Sequence, residues 1–310
     1  MMEMEIPITQ SKAWKNLQDD LNEESIFIET ESYQYLGIIK DTPVGKYLYC
    51  PYGPVANDTK SFKQALNSLI EYAKSNHLIF VRIEPFNKNY QKQLPKNAKK
   101  SKDLNPKETW ILDLSGSDDE LKAKLPSRLL RYYKSSENKG IKIKTSNNPD
   151  DIHYLLDLQR ALAQKKGINT FSEEYLKTEL SQPFATLYLV FHEESEPTLV
   201  AAGLVFDDMT TRYNLQGAQS EQGRKLHATG ILTIQLILDA KAKGLKKFDF
   251  WGIAPENAPS NHPWKGFTDF KKTFAGQEVD HAGTYDIIIK PTKYRIYQLA
   301  RKINQKRKNR

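Results

Sequence analysis

Residues 199–251 read LVAAGLVFDDMTTRYNLQGAQSEQGRKLHATGILTIQLILDAKAKGLKKFDFW. Residues 199–206 and 211–217 are strand-length, apolar-rich segments on either side of Asp207-Asp208-Met209, the pattern of a hairpin. Residues 219–225 form a polar stretch that reads as a loop. Ile231, Ile234, Gln235, Ile237, Leu238 and Ala242 then recur at helical spacing, with Gly244 as the stop. Residues 247–251 close the run as a strand.

The same order occurs in residues 33–83. Tyr35-Leu36-Gly37-Ile38-Ile39 and Tyr47-Leu48-Tyr49 flank a turn at Asp41-Thr42-Pro43-Val44-Gly45. A loop with Pro51, Gly53 and Pro54 follows, then cap candidates Asn57-Asp58-Thr59. Phe62, Ala65, Leu66, Leu69, Ile70 and Ala73 keep helical spacing, and residues 78–83 form a buried-type strand. Strand, strand, loop, helix, strand is a mixed α/β (α+β) unit; two copies predict a tandem fold with mixed sheets. Between the copies, residues 110–114 read as a strand, and Ser117 with Glu120 has capping-box spacing. A basic helix carrying Leu121, Leu125, Leu129 and Leu130 is interrupted by Pro126, which predicts a kink or restart. A strand at 141–144, a helix at 152–163 and a late strand at 286–289 complete the pattern. Tyr294, Tyr297, Leu299 and Ala300 lend the tail helical character.

At 310 residues with 39% hydrophobic content, two domains are expected. Cys50 is the single cysteine, so no internal disulfide can form, which fits a reducing compartment. Residues 1–7 lack a basic segment followed by an apolar one, and the sequence has no apolar run of about 20 residues. A cytoplasmic protein is expected. The net charge of +8 is concentrated at one end: residues 290–310 hold nine bases and no acids, which leaves the rest close to neutral. A second cluster, Lys88, Lys92, Lys96, Lys99, Lys100 and Lys102, falls in a stretch that reads as a loop. Both clusters suit solvated surface, or the phosphates of RNA, of a nucleotide-linked substrate or of anionic lipid. The histidines are scattered without metal-ligand spacing, so no metal is expected, and neither a nucleophile elbow nor a phosphate loop occurs.

Particular residues carry a family likeness. Residues 213–220 (Tyr213-Asn214-Leu215-Gln216-Gly217-Ala218-Gln219-Ser220), then Phe248-Asp249-Phe250-Trp251-Gly252-Ile253, then residues 266–276 around Phe270-Lys271-Lys272-Thr273-Phe274-Ala275-Gly276 resemble the signature run of the FemXAB aminoacyltransferases. Gln10-Ser11 with Trp14, Gly53-Pro54-Val55 and Arg82-Ile83-Glu84-Pro85 extend the likeness through the first half. The resemblance implies two GNAT-like domains, residues 1–108 with 286–310 on the precursor side and residues 109–285 on the acyl-donor side. It is similar to the compact form without a helical arm. It implies transfer of an amino acid from aminoacyl-tRNA, the co-substrate, to the stem-peptide amine of a peptidoglycan precursor, nucleotide- or lipid-linked, without metal or redox cofactor. A shared trough between the two halves is the expected place of transfer.

By that resemblance Phe270 and Lys271 are the catalytic candidates. Acyl transfer from an ester passes through a tetrahedral oxyanion, and a fixed cation beside it lowers the barrier; a surface lysine next to Lys272 is the plain alternative. Tyr175 is implied in precursor binding, although Phe171 stands where relatives carry an Arg; Arg160, Lys165 and Lys166 are nearby substitutes in sequence. Tyr213, Asn214 and Gln216 occupy a groove-lining segment in which the family favours Tyr, and their alternative is the polar face of a half-buried strand. Glu84 is implied to hold the acceptor ammonium or take its proton. Near Trp14 the family's phosphate-binding base falls on Gln18, with Lys12 and Lys15 out of phase. An acyl-CoA-dependent GNAT enzyme is one rival, opposed by the glycine spacing of residues 222–230. A non-catalytic basic protein that binds RNA or a membrane surface is another, with peripheral contact at the inner membrane face through the tail.

Overall fold

The computed structural model describes residues 4–166 and 170–308, with the backbone alone at residues 165, 166 and 304–308. The chain divides into two compact units, Met1–Lys107 with Asp280–Arg310, and Glu108–Val279. The first begins with α1 (Lys12–Asp20), β1 (Ser25–Glu29), β2 (Tyr33–Thr42), β3 (Gly45–Cys50), β4 (Val55–Ala56), α2 (Thr59–Ser75), β5 (Phe80–Ile83) and β6 (Ala98–Lys100). The second runs through β7 (Glu108–Asp113), α3 (Asp118–Lys124), α4 (Ser127–Lys134), β8 (Ile141–Ser146), α5 (Ile152–Lys166), α6 (Glu173–Leu180) and β9 (Ala185–Glu193). It continues with β10 (Pro197–Asp207), β11 (Thr211–Gln219), α7 (Glu221–Lys225), α8 (Ala228–Ala242), β12 (Lys247–Gly252), α9 (Lys265–Lys272) and β13 (Gln277–Asp280). Then β14 (Tyr285–Ile288) and α10 (Pro291–Lys308) complete the first unit.

Each unit is built on one mixed sheet. In the first, the described strands run β1-β2-β3-β5-β14-β6, with β4 on β2. Every pair is antiparallel except β3–β5. In the second, the order is β8-β9-β10-β11-β12-β7-β13, and β11–β12 is the parallel pair. A parallel neighbour cannot be reached by a tight turn, so α2 and α8 supply the crossovers. The internal repeat therefore exists as geometry: hairpin, crossover helix, parallel strand, twice. The strand next outward differs in origin. It is β7, at the head of the second unit, but β14, from near the end of the chain, in the first.

The cores follow the periodic residues. Leu48, Phe62, Leu66, Leu69, Val81 and Ile83 are buried in the first, and Leu112, Val205, Ile234, Ile237, Phe248 and Phe250 in the second. Each such side chain contributes about 1.5–3 kcal/mol by leaving water. Helix starts obey their caps: the Asp58 carboxylate accepts from Ser61 N, and Ser117 with Glu120 forms the full capping box. Pro126 ends α3 and sits at the N-cap of α4, so the break is a restart.

In the first unit β14 is held by a buried ion pair. Arg82 Nε donates to Asp286 Oδ1 at 2.7 Å and Nη2 to Oδ2 at 2.9 Å. Tyr294 of α10 donates to Asp286 Oδ2 at 2.9 Å.

Two expectations change, and two strands appear that the residue pattern did not announce. The lysine-rich stretch 88–102 is not loop throughout: Lys88–Gln93 is a 3-10 helix and Lys99 and Lys100 lie in β6, where pairing with β14 overrides their weak strand preference. The polar stretch 219–225 contains α7, started by Ser220 Oγ accepting from Gly223 N at 3.0 Å. Gly223 is required there, because a Cβ would stand 2.0 Å from Val200 O. Finally, β1 and β9 escape the pattern of alternation. β1 is half-exposed at a sheet edge, and β9 is buried on both faces over most of its length, so neither shows a period of two.

Candidate active site in the second unit

Strands β11 and β12 pair over just three registers, Thr211 with Lys247 through Tyr213 with Asp249. Beyond them lies a cavity of about 780 Å³, lined from β10, β11, β12, α5, α7, α8 and α9. That volume suits a sizeable ligand. Leu232, Leu236 and Phe250 line it as buried residues, and Glu221, Arg224 and Phe267 as exposed ones.

Lys271 and Phe270 both line this cavity. Helix α9 is anchored by Thr268, whose hydroxyl donates to Trp264 O at 2.7 Å and accepts from Ala254 N at 2.8 Å. At its other end Phe274 is fully buried, and Gly276 passes β7 so closely that a Cβ would be 2.6 Å from Ile111 O. The Phe-Ala-Gly part of the motif is thus what seats the helix. Consecutive helical residues point about 100° apart, so the two lysines part company. Lys272 is exposed and pairs with Glu278 at 3.1 Å. Lys271 turns inward, and its Nζ donates to Gly252 O at 2.7 Å and lies 5.2 Å from the centre of the Phe267 ring.

The accepting carbonyl sits at an irregularity of β12. The register against β7 shifts between Asp249 and Gly252, and Trp251 takes a positive φ of 64°. Trp251 N donates to Asp249 Oδ1 at 2.7 Å. Burial pushes the Lys271 amine down to about 8, partly offset by the charge of Asp249. Burial likewise pushes the Asp249 carboxyl up to about 7, against the Trp251 N–H and then Lys271. An ammonium has three N–H donors, and Gly252 takes one. The site therefore holds a desolvated cation beside a mostly apolar wall, suited to an oxygen that gains negative charge.

The other candidates are placed as follows. Asn214 lines the cavity. Tyr213 is buried, donates to Asp208 Oδ2 at 2.7 Å and meets the Trp251 ring edge-on at 6.2 Å; it is not a lining residue. Gln216 and Tyr175 are brought together by a residue the motifs did not single out, Glu179. Gln216 Nε2 donates to Glu179 Oε2 at 3.0 Å, the Tyr175 side chain bonds the same carboxyl, and burial pushes that carboxyl up to about 7. Gln159 Nε2 donates to Gln216 Oε1 at 3.1 Å. Phe171 stacks on Tyr175 at 5.2 Å. Arg160 pairs with Asp157 and Glu173, whereas the Lys165 and Lys166 side chains lie outside the described residues.

Glu84 belongs to the first unit. Buried to 3% exposure, it accepts from Tyr49 Oη, Thr284 Oγ1, Asn105 Nδ2 and the amides of Leu104 and Asn105, at 2.7–3.2 Å. These bonds staple residues 104–105 to the end of β5. Gln18 is buried too, and Lys15 turns to Asp19. Among the described residues no group of three or more His, Cys, Asp or Glu is placed to hold a metal ion. Nor is any described helix long and apolar enough to cross a membrane.

Part of the chain, from within β9 to within α10, matches a family model. Residues 188–302 match the FemAB family. The FemAB match contains Asn214, Gln216, Asp249, Phe270 and Lys271, so the likeness read from those motifs holds. Among solved structures, one of FemX is similar over 94% of both chains, with a TM-score of 0.79 and 15% identity. L-PGS from Bacillus licheniformis is similar over 91% of this chain and 92% of its own, at 0.58 and 14%. A tandem GNAT protein from the clavulanic acid biosynthesis pathway covers 92% and 98%, at 0.50 and 12%. At these identities the likeness shows the fold, a tandem GNAT-like one with mixed sheets. No curated protein matches the sequence.

Proposed function

We propose that the protein is an aminoacyltransferase that moves an amino acid from aminoacyl-tRNA to the stem-peptide amine of a peptidoglycan precursor. The FemAB match supports the class of reaction. The observation that carries it is Lys271: one inward-facing cation, on a helix seated by the family motif, at a cavity large enough for an aminoacylated nucleotide end.

The chemistry asks little else of the protein. The ester of a charged tRNA is already activated, so positioning outweighs the need for a nucleophile. The neutral acceptor amine attacks the ester carbonyl, and the C–N bond forms. The carbonyl oxygen takes up charge beside the Lys271 ammonium. As the C–O bond to the ribose breaks, the proton lost by the amine nitrogen goes to the leaving ribose oxygen. Asn214 is available to hydrogen-bond the peptide, and Arg224, exposed at the same cavity, to meet phosphate. The donor-side role belongs to the second unit and precursor binding to the first.

The deciding experiment incubates the pure protein with nucleotide-linked or lipid-linked precursor and a mixture of charged tRNAs, with acetyl-CoA as a separate arm. Mass analysis is expected to show aminoacyl additions that require charged tRNA. Modification by acetyl-CoA alone would assign the fold to the rival acyl donor; an unmodified precursor in both arms would remove the proposal.

A pH profile tests the role of the cation. The charged form of Lys271 is the active one, so activity is present below its pKa and is lost as pH rises through about 8. The acceptor amine must itself be neutral, which raises the rate with pH in every variant, so kcat/KM is divided by that of Lys271→Met; the ratio is expected to fall on that alkaline side. A ratio that climbs there instead would make the neutral Lys271 amine a base and end the oxyanion role.

A further inference from the structure

The last helix presents an apolar face that the fold does not use. On α10, Tyr294 is buried, Gln298 Nε2 donates to its hydroxyl at 2.7 Å, and Arg301 Nη1 reaches Ser101 Oγ at 3.2 Å, so residues 294, 298 and 301 mark the packed side. Ile296, Leu299 and Ile303, spaced three and four apart, fall on the opposite side and are 49%, 61% and 46% exposed. Lys293, Arg295 and Lys302 are exposed beside them. Lone exposed aliphatics need no account, but three on one helix face in a segment with nine bases and no acids do.

The neighbouring sheet edge adds to the charge. Lys99 of β6 stands opposite Asp286 of β14, and directly paired residues share a sheet face. Asp286 bonds Tyr294 of α10, so exposed Lys99 lies on the face that α10 covers. Part of the lysine-rich stretch and the basic tail therefore meet on one side of the first unit.

We propose that α10 is an interfacial anchor that docks the first unit on an anionic lipid surface, with Ile296, Leu299 and Ile303 entering the headgroup boundary and Lys293, Arg295 and Lys302 resting on lipid phosphates. The commitment to lipid rather than RNA comes from the aliphatic stripe. Phosphates of either kind attract the cations, but an Ile/Leu face gains free energy by burial in an apolar medium, which a nucleic-acid backbone does not offer. The inference does not depend on acyl transfer, because vesicle binding is read without substrate.

The test is sedimentation of the full chain with phosphatidylcholine vesicles, with and without phosphatidylglycerol. Binding is expected to require phosphatidylglycerol and to weaken with salt. Neutralising Lys293, Arg295 and Lys302 to Gln together should weaken it roughly a hundredfold, about fivefold for each cation. The triple variant Ile296→Ser, Leu299→Ser, Ile303→Ser should weaken it tenfold or more. Leu299→Trp should strengthen it severalfold and blue-shift the added fluorescence, which guards against a variant that simply unfolds. Binding that survives the Ser variant and ignores Leu299→Trp, while the Gln variant loses affinity for tRNA, would mark the face as an RNA contact and overturn the proposal. Failure of the unmodified chain to sediment with anionic vesicles would overturn it as well.

Discussion

Replacing Lys271 with Met is expected to lower the rate of aminoacyl transfer by roughly 10²–10³-fold, the loss seen when one oxyanion-stabilising group is removed. Met keeps the length and the contact with Phe267 but carries no charge, so the change reports on the cation rather than on packing. The amine is desolvated enough to have its pKa lowered to about 8. Removing it should therefore leave stability unchanged or slightly raised, which separates a catalytic loss from a folding one. The kinetic pattern is specific. If the cation acts on charge that develops during reaction, kcat falls and substrate affinity moves little. Lys272→Met is the matched control: that side chain is exposed and paired with Glu278, and the variant should retain near-normal turnover. Equal losses at both positions would remove the distinction on which the site rests.

The second large effect is on folding. Asp286→Ala is expected to cost about 3–5 kcal/mol, because it strands the Arg82 guanidinium in the interior of the first unit without its counter-charge. Arg82 is 2% exposed and Asp286 0%, with two short bonds between them, and Tyr294 loses its acceptor in the same step. Chemical denaturation followed by circular dichroism would show the loss as a lowered midpoint. Replacing the pair together, Arg82→Met with Asp286→Leu, should recover most of it, since breaking a buried pair costs far more than exchanging it for apolar groups of similar size. A single variant as stable as the parent would mean that water reaches this part of the unit. That would undercut the account of how β14 is held.

Elements whose causes are local were legible in the residues. The hairpin around residues 207–209, the crossover helices, the Asp58 cap, the Ser117–Glu120 box and the restart at Pro126 follow from short-range geometry, and all are present. Lys271 was singled out by a different route, through the likeness of residues 266–276 to a family motif, and it lines the cavity. Other matches to that likeness carry structural duties. Gln10 is fully buried and bonds Pro51 O at 2.6 Å and Leu36 N at 2.9 Å, Ser11 caps α1, and Arg82 belongs to the ion pair. Glu84 stands out in the sequence as an acid at a strand end, yet its oxygens are occupied by donors that come together from residues 49, 104, 105 and 284.

By itself, the sequence determined the repeated α/β unit, the helix starts and stops, and the concentration of positive charge near residues 290–310, because each depends on neighbours a few residues apart. Tertiary structure alone decided which strand lies outside β5, which of two adjacent lysines faces the cavity, and that Asp249 and Glu179 are buried carboxyls with raised pKa values. The reason is physical. Burial, desolvation and the pairing of residues such as 82 and 286 arise from groups distant in the chain, and no window of sequence contains both partners.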